Sequence, residues 1–321
     1  MPPIAIGPAD SHETRWSRLK TSLLRWIDTS ATTATESQPD RVDWVRAAPF
    51  LGVHAACICV LWVGVSWAAR VVCALSYAIR MFAITGFYHR YFSHRTFRTS
   101  RPVQFFFACV GAASTQRGPL WWASHHHNHH QNADTTLDPH SPRHKGFIWS
   151  HMWWFLTPSG FRTDWKRIPD WNRYPELRWL DRFDIVVPVV YAVGIFFLGV
   201  GLNRLFPGLH TGGWQMLVWG FFVSTVVLFH CTVTINSLAH RFGSRRFTTP
   251  DDSRNNLWLA LITFGEGWHN NHHFYPSTVR QGFYWWEIDM TYYALRMMSF
   301  VGLVQGLKPI PARVKQAMER Y

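Results

Sequence analysis

Cysteine is scarce in this chain, with five in 321 residues. Cys57, Cys59, Cys73, Cys109 and Cys231 sit mostly in apolar runs and show neither redox nor zinc spacing. That excludes a disulfide framework and a thiolate zinc module, and leaves the cysteines as small buried hydrophobes. Acidic residues are also few, 19 against 32 Lys and Arg, for a formal net charge of +13. The excess is spread over segments that flank apolar stretches, and no nucleic-acid module is present, so a nucleic-acid partner is excluded. Anionic lipid, an acidic protein or a phosphate-bearing substrate suits such a charge better. A dinucleotide fingerprint (GxGxxG) and a haem-attachment motif (CxxCH) are both missing. Residues 1–45 lack the contiguous apolar core of a signal peptide, and no internal repeat marks a second globular unit.

What the chain does have is apolar length. Mean hydropathy is only −0.08 because apolar stretches alternate with basic ones. Stretches of about 20 apolar residues can span a bilayer. Residues 49–69, 71–88, 186–205 and 214–235 qualify; Val103 to Thr115 is too short and is expected to lie in the interface or beneath the helices. Lys and Arg concentrate in the N-terminus, in His89 to Arg182 and after Arg241, and are nearly absent from the connections after Ala69 and at 206–213. The expected architecture is therefore all-α: four transmembrane helices in two hairpins, with both termini and a helical cap on the cytoplasmic side. The expected division is a tail at 1–45, a domain at 46–310 and a C-terminal tail at 311–321. Within the first tail, Trp16 to Ile27 has the pattern of an interfacial amphipathic helix, and Thr29 to Asp40 the composition of a disordered segment.

Ten of the 18 histidines fall in three short polar stretches: His89 and His94, the run His125 to His130 broken by Asn128, and His269, His272 and His273. Imidazole is the commonest protein metal ligand, and histidine at this density contributes chelation far more than packing. As helix, His126, His129 and His130 stand at i, i+3 and i+4, and so do His269, His272 and His273. At about 100° per residue, His89 and His94 lie roughly 140° apart, which suits two ions better than one. Asn236 and His240 form a further i, i+4 polar pair at the end of an apolar run, where ionisable groups are functional by default. These nine histidines exceed the needs of one ion, and two metals is the simplest count. The remaining histidines have blander readings. His12, His54, His144, His151, His210 and His230 read as isolated, while His125, His127 and His140 read as neighbours of the ligands and not ligands themselves.

Two metals held by imidazole suit iron, zinc or copper better than calcium or magnesium. A hydrolytic zinc pair would bring bridging carboxylates, and the clusters contain none. Asp134, Asp138 and Glu266 are placed to accept the outer ring N–H of ligands. Redox chemistry on an apolar substrate explains both the ligands and the membrane.

His89-x4-His94, His126-x2-His129-His130 and His269-x2-His272-His273 resemble the three histidine boxes of the integral-membrane fatty acid desaturases, in particular the Δ9 acyl-CoA and acyl-lipid group. The resemblance runs from about Val71 to Pro276. It implies a di-iron oxidoreductase of lipid biosynthesis that uses O2 and inserts a cis double bond, at Δ9, into a saturated acyl chain. It further implies one iron on His89, His126, His129 and His272, with Asn236 reaching it through water, and a second on His94, His130, His240, His269 and His273. Gln116, Trp122 and Thr232 match the bend of the acyl tunnel. Ser124 and His125 stand where animal acyl-CoA enzymes carry an Arg-Asp pair that touches CoA, and Val233 replaces a tryptophan that binds the acyl carbonyl. Both departures favour an acyl-lipid or another carrier over acyl-CoA. The two electrons are expected from a separate donor, ferredoxin or a cytochrome b5-like protein with its reductase. The expected location is a bacterial cytoplasmic membrane in preference to the endoplasmic reticulum. Two rivals remain at this stage: a hydroxylase of the same histidine-box superfamily, and a membrane metal-binding or transport protein.

Overall fold

The computed structural model describes residues 23–31 and 41–318. Most of the expected N-terminal tail, including the start of the amphipathic stretch and residues 32–40, lies outside them; residues 23–27 are helical. Helix α1 (Trp44–Val63) starts where the Asp43 carboxylate accepts the Arg46 backbone N–H, and it stops at Gly64, whose φ of 62° only glycine adopts without strain. Helix α2 (Trp67–Ser93) follows at once, capped by Ser66 Oγ on the Ala69 N–H.

The first hairpin therefore turns at residues 64–66 and not at Arg70, as the lone charge had suggested. Arg70 lies in the first turn of α2 with its guanidinium 4.9 Å from the Trp67 ring centroid. A left-handed glycine and a serine cap break a helix, whereas one long basic side chain can run along it.

At 27 residues, α2 is longer than a bilayer core requires. Its last part, Ala83–Ser93, is wound as a π-helix and every residue in it is buried. Helix α3 (Arg101–Ala112) packs on this π segment, with Phe87 and Phe107 stacked at 4.0 Å. Helix α4 (Pro119–Asn132) lies across the same segment. A short α5 (Pro175–Arg182) leads to the second hairpin, α6 (Val186–Leu205) and α7 (Gly213–Ser237). Gly199 lets that hairpin close, since a Cβ there would meet the Gly212 carbonyl oxygen at 2.5 Å. These four long helices are apolar enough to cross a membrane, each within a few residues of the expected span.

The remaining chain folds back under α2 and α4 as α8 (Leu257–Ile262), α9 (His269–Phe274) and α10 (Met290–Phe300). A two-residue ribbon pairs β1 (Arg98–Thr99) antiparallel to β2 (Val304–Gln305). The expected C-terminal tail contains a helix, α11 (Ala312–Met318), whose Val314 is buried against Phe247 and Phe283. A single valine gave no local sign of docking; its partners come from distant segments. The main core, including Phe87, Phe92, Leu120, Leu177, Leu228 and Leu295, joins the four-helix stalk to this cap.

Candidate metal centre

The three histidine motifs arrive on three elements that pack together: the π end of α2, α4 and α9. His240 follows α7. The nine rings converge into two groups, in each of which one ligand atom per residue lies within 4.8 Å of all the others. One group holds His89, His94, His126, His130 and His272; the other holds His129, His240, His269 and His273.

This partition differs from the one implied by resemblance: His94 and His130 join the five-histidine group and His129 the other. Two pieces of geometry explain it. In α4, His126 and His130 are about 40° apart around the axis, while His129 is about 100° from His130, so the i, i+4 pair falls in one group and the i+3 residue in the other. Helix α9 repeats this with the groups exchanged: His269 and His273 pair, and His272 crosses over. His89 and His94 fall in one group because α2 ends as a π-helix, whose turn closes at i→i+5. The His94 N–H reaches the His89 carbonyl oxygen at 3.2 Å and the two rings stand 4.9 Å apart. The α-helical angle of 140° does not apply there.

The donor set fits metal ions. In the five-histidine group the Nε2 atoms form a chain: His94 to His126 at 2.7 Å, His126 to His130 at 3.0 Å, His130 to His272 at 2.9 Å, and His272 to His89 at 3.1 Å. A ring nitrogen makes one in-plane hydrogen bond, either as donor or as acceptor. His126, His130 and His272 each have two such neighbours, so hydrogen bonding cannot satisfy the chain, and a shared cation can. In the other group His240 and His269 Nε2 are 3.0 Å apart, and the buried His273 Nε2 has no hydrogen-bond partner among the described residues. Burial, and then the neighbouring rings, pushes His94, His126, His130, His269 and His272 well below the ordinary imidazole range, which keeps them neutral and ready to ligate.

Carboxylates stand behind the rings. Glu266 faces His89 Nδ1, and also takes Arg90 Nη2 at 3.0 Å and Gln281 Nε2 at 3.0 Å. His129 Nδ1 is 3.0 Å from Asp138, and His240 Nδ1 is 2.7 Å from Asp134. A fourth carboxylate, Asp251, was not anticipated: it lies 2.9 Å from His273 Nδ1, on a loop whose sequence carries no signal beyond a Pro-Asp-Asp turn. Burial alone would raise Asp134, yet its contacts with His240 bring it to about 2. Burial lowers His129, and Asp138 more than reverses that, leaving it above the ordinary value. Asn270 and Asn271, between the α9 ligands, are fully buried, and they also escaped the sequence reading. Asn270 Oδ1 accepts the Arg246 and Phe247 backbone N–H groups, and Asn271 Nδ2 donates to Glu287 at 2.9 Å. They pin the short helix, and with it the direction of three ligands.

A cavity of about 500 Å³ runs past both groups, within the range of small-molecule sites. His89, His126, His129, His269 and Asn236 line it, together with Gln116, Trp122 and Thr232. Gln116 Nε2 donates to Thr232 Oγ1 at 3.1 Å, and Trp122 stacks on His126 at 5.0 Å. Val233 is on its wall, whereas Ser124 is buried within α4 with its hydroxyl on the Trp121 carbonyl. His125 binds the Arg162 carbonyl, His127 those of Ser93 and Arg167, and the His140 ring lies tilted against that of His129, with centroids 4.5 Å apart. Three histidines read as isolated are in fact linked: His54 to His230 at 3.2 Å, His230 to His151 at 3.0 Å, and His151 to Ser237 at 2.9 Å.

Four helices apolar enough to cross a membrane, with histidine groups able to hold metal ions beside a cavity, fit a membrane protein that handles an apolar substrate. The sequence profile described as fatty acid desaturase matches residues 65–299, and the chain belongs to that family of oxidoreductases. It is 36% identical over 280 residues to the sn-1 stearoyl-lipid 9-desaturase of Anabaena variabilis, covering 86% of this chain and 97% of that protein. It is 34% identical over 274 residues to the sn-2 palmitoyl-lipid 9-desaturase of Nostoc sp., covering 84% and 91%. It is 37% identical over 254 residues to an acyl-CoA C20 Delta5-desaturase of Anemone leveillei, covering 78% and 76%.

Proposed function

We propose that this desaturase inserts a cis double bond at Δ9 into a saturated chain carried by a membrane lipid, using two irons, O2 and two electrons from a separate donor. The observation that carries this reading is a single cavity lined by both histidine groups and by Gln116, Trp122 and Thr232. Two relatives that cover 86% and 84% of this chain bear the names of lipid 9-desaturases. Two named for acyl-CoA cover 78% and 82% of it and carry the number 5 in place of 9.

In the reaction adjacent methylenes each lose one C–H bond, and O2 takes up those two hydrogens together with two electrons from the donor and two protons from solvent to leave two waters. Iron, when bound at the two groups, supplies the O2 activation and the hydrogen abstraction. The rest of the task belongs to the chain. Trp122, stacked on His126, and the hydrogen-bonded Gln116–Thr232 pair fix a bend beside the ligands, so that a cis geometry is selected before any bond breaks. Asp134, Asp138, Asp251 and Glu266 hold four imidazoles in the tautomer that presents Nε2 to the metal. Asn236 reaches a metal through water. Both termini and the cap lie on the cytoplasmic side, where a soluble ferredoxin or cytochrome b5-like donor has access.

Expression in a host that lacks unsaturated fatty acids tests the reading. Gas chromatography–mass spectrometry of separated lipid classes and of the acyl-CoA pool should show monoenes appearing first in the lipids. Dimethyl disulfide adducts should place the bond at Δ9 in both C16 and C18 chains. A bond at constant distance from the methyl end would overturn Δ9, and an oxygenated product would favour the hydroxylase. Tags at 141–180 and at the C-terminus should report the cytoplasm, and one at 206–213 the opposite side.

A further inference from the structure

Away from the histidines, the cavity meets a second polar cluster for which the reaction has no use. Arg46, at the start of α1, and Arg117, in the loop before α4, both line it, with Arg25 and Asp184 beside them. Arg25 pairs with Asp43, and Arg117 with Asp184. Arg46 is only 6% exposed, has no ion pair among the described residues, and leaves Nε and Nη2 without a hydrogen-bond partner. Arg117 Nη1 is likewise unpartnered. Both guanidiniums lie 4.7 Å from the centroid of the Phe161 ring, so two like charges share one aromatic ring. Three arginines against two aspartates leave one positive charge over.

A buried cation with free N–H groups facing a cavity is costly unless an anion occupies that cavity. The backbone adds a second sign. Thr115 and Arg117 hold φ of 57° and 68°, left-handed values that are uncommon for non-glycine residues. Beyond the arginines the wall is apolar and reaches the outside of the bundle, because Val189 and Val193 of α6 line the cavity and are 51% and 49% exposed.

Planar guanidiniums with paired N–H groups select tetrahedral oxyanions, phosphate above all. We propose that Arg46, assisted by Arg117, binds the phosphate of a membrane phospholipid whose acyl chain occupies the same cavity. This rests on the lipid-desaturase reading and specifies its carrier as a phospholipid. CoA and free phosphate offer the same chemistry, but neither has a use for an apolar wall that opens toward the bilayer.

The test uses the full-length, metal-loaded protein in detergent, with thermal unfolding measured in dioctanoyl-phosphatidylglycerol, dioctanoyl-monogalactosylglycerol, CoA or inorganic phosphate. The phospholipid should raise the midpoint and the phosphate-free galactolipid should not. Arg46→Gln should remove the difference and Arg46→Lys restore part of it. In turnover, Arg46→Gln should raise KM for stearoyl-phosphatidylglycerol at least about tenfold more than KM for the stearoyl galactolipid, the loss expected for one charge-assisted hydrogen bond. Equal midpoint shifts from phospholipid and galactolipid would overturn the proposal. So would equal or greater stabilisation by CoA or phosphate, which would assign the site to a soluble carrier. If Arg46→Gln does not fold, the wild-type ligand series decides alone. An Arg46-dependent phospholipid shift in a protein that desaturates none of the acyl substrates would refute the lipid-desaturase reading and leave the phosphate site standing.

Discussion

The two histidine groups are built from the same motifs but are backed differently. In the four-histidine group three rings lean on carboxylates: His129 on Asp138, His240 on Asp134 and His273 on Asp251. In the five-histidine group the described ion pairs include one such contact, His89 on Glu266, and that carboxylate is shared with the buried Arg90. A carboxylate behind an imidazole fixes its tautomer and raises its basicity. The smaller group thus compensates for fewer ligands with more strongly donating ones. The larger depends on ligand number and on packing around the π end of α2.

The largest test of that contrast removes one ligand from each group. His272→Ala should empty the five-histidine group and His269→Ala the other, each leaving about one metal per chain by plasma mass spectrometry, with activity abolished in both. His129→Ala should behave as His269→Ala does. If either variant kept two metals and most of its activity, the division into two groups would be wrong.

Removing the backing should have a smaller effect. Asp138→Asn should weaken metal retention in the four-histidine group about 10–100-fold, measurable by competition with a chelator. Glu266→Gln should do the same for the five-histidine group and also destabilise the fold by several kcal/mol, because Arg90 then loses one of its two buried carboxylates. Equal thermal stability of the two variants would break the contrast.

Asp181 is the control, a buried carboxylate with no histidine partner. Burial pushes it up to about 6 in spite of the Thr163 hydroxyl and the Trp121 N–H. Its folded value lies above its ordinary 3.8, so the cost is absent below that pH, grows as pH rises through about 6, and is complete above it. At pH 7 this amounts to about 3 kcal/mol. Asp181→Asn should therefore raise the unfolding midpoint at pH 7 and much less at pH 4.5. An equal gain at both pH values would show that charge is not the cause.

The parts of this protein legible in its sequence are local. Runs of apolar residues mark four helices because each is long enough by itself to cross a bilayer. The i, i+3, i+4 spacing of the histidines marks a metal centre because a helix places them on neighbouring faces whatever surrounds it. Glu266, Asp134 and Asp138 could be picked out because they stand near ligands along the chain or at a turn.

What only the tertiary structure decided depends on contacts between distant segments. The first turn fell at Gly64 and not at Arg70. His94 joined His89 because α2 ends in a π-helix, in a segment whose eleven residues from Ala83 to Ser93 are all buried. Asp251 met His273, and Val314 met Phe247 and Phe283, across loops whose course no local pattern encodes. Arg46 and Arg117, 71 positions apart, came to share one phenylalanine ring in a common cavity. Spacing along a helix determines which rings can converge; the packing of α2, α4 and α9 against one another determines on which ion they do.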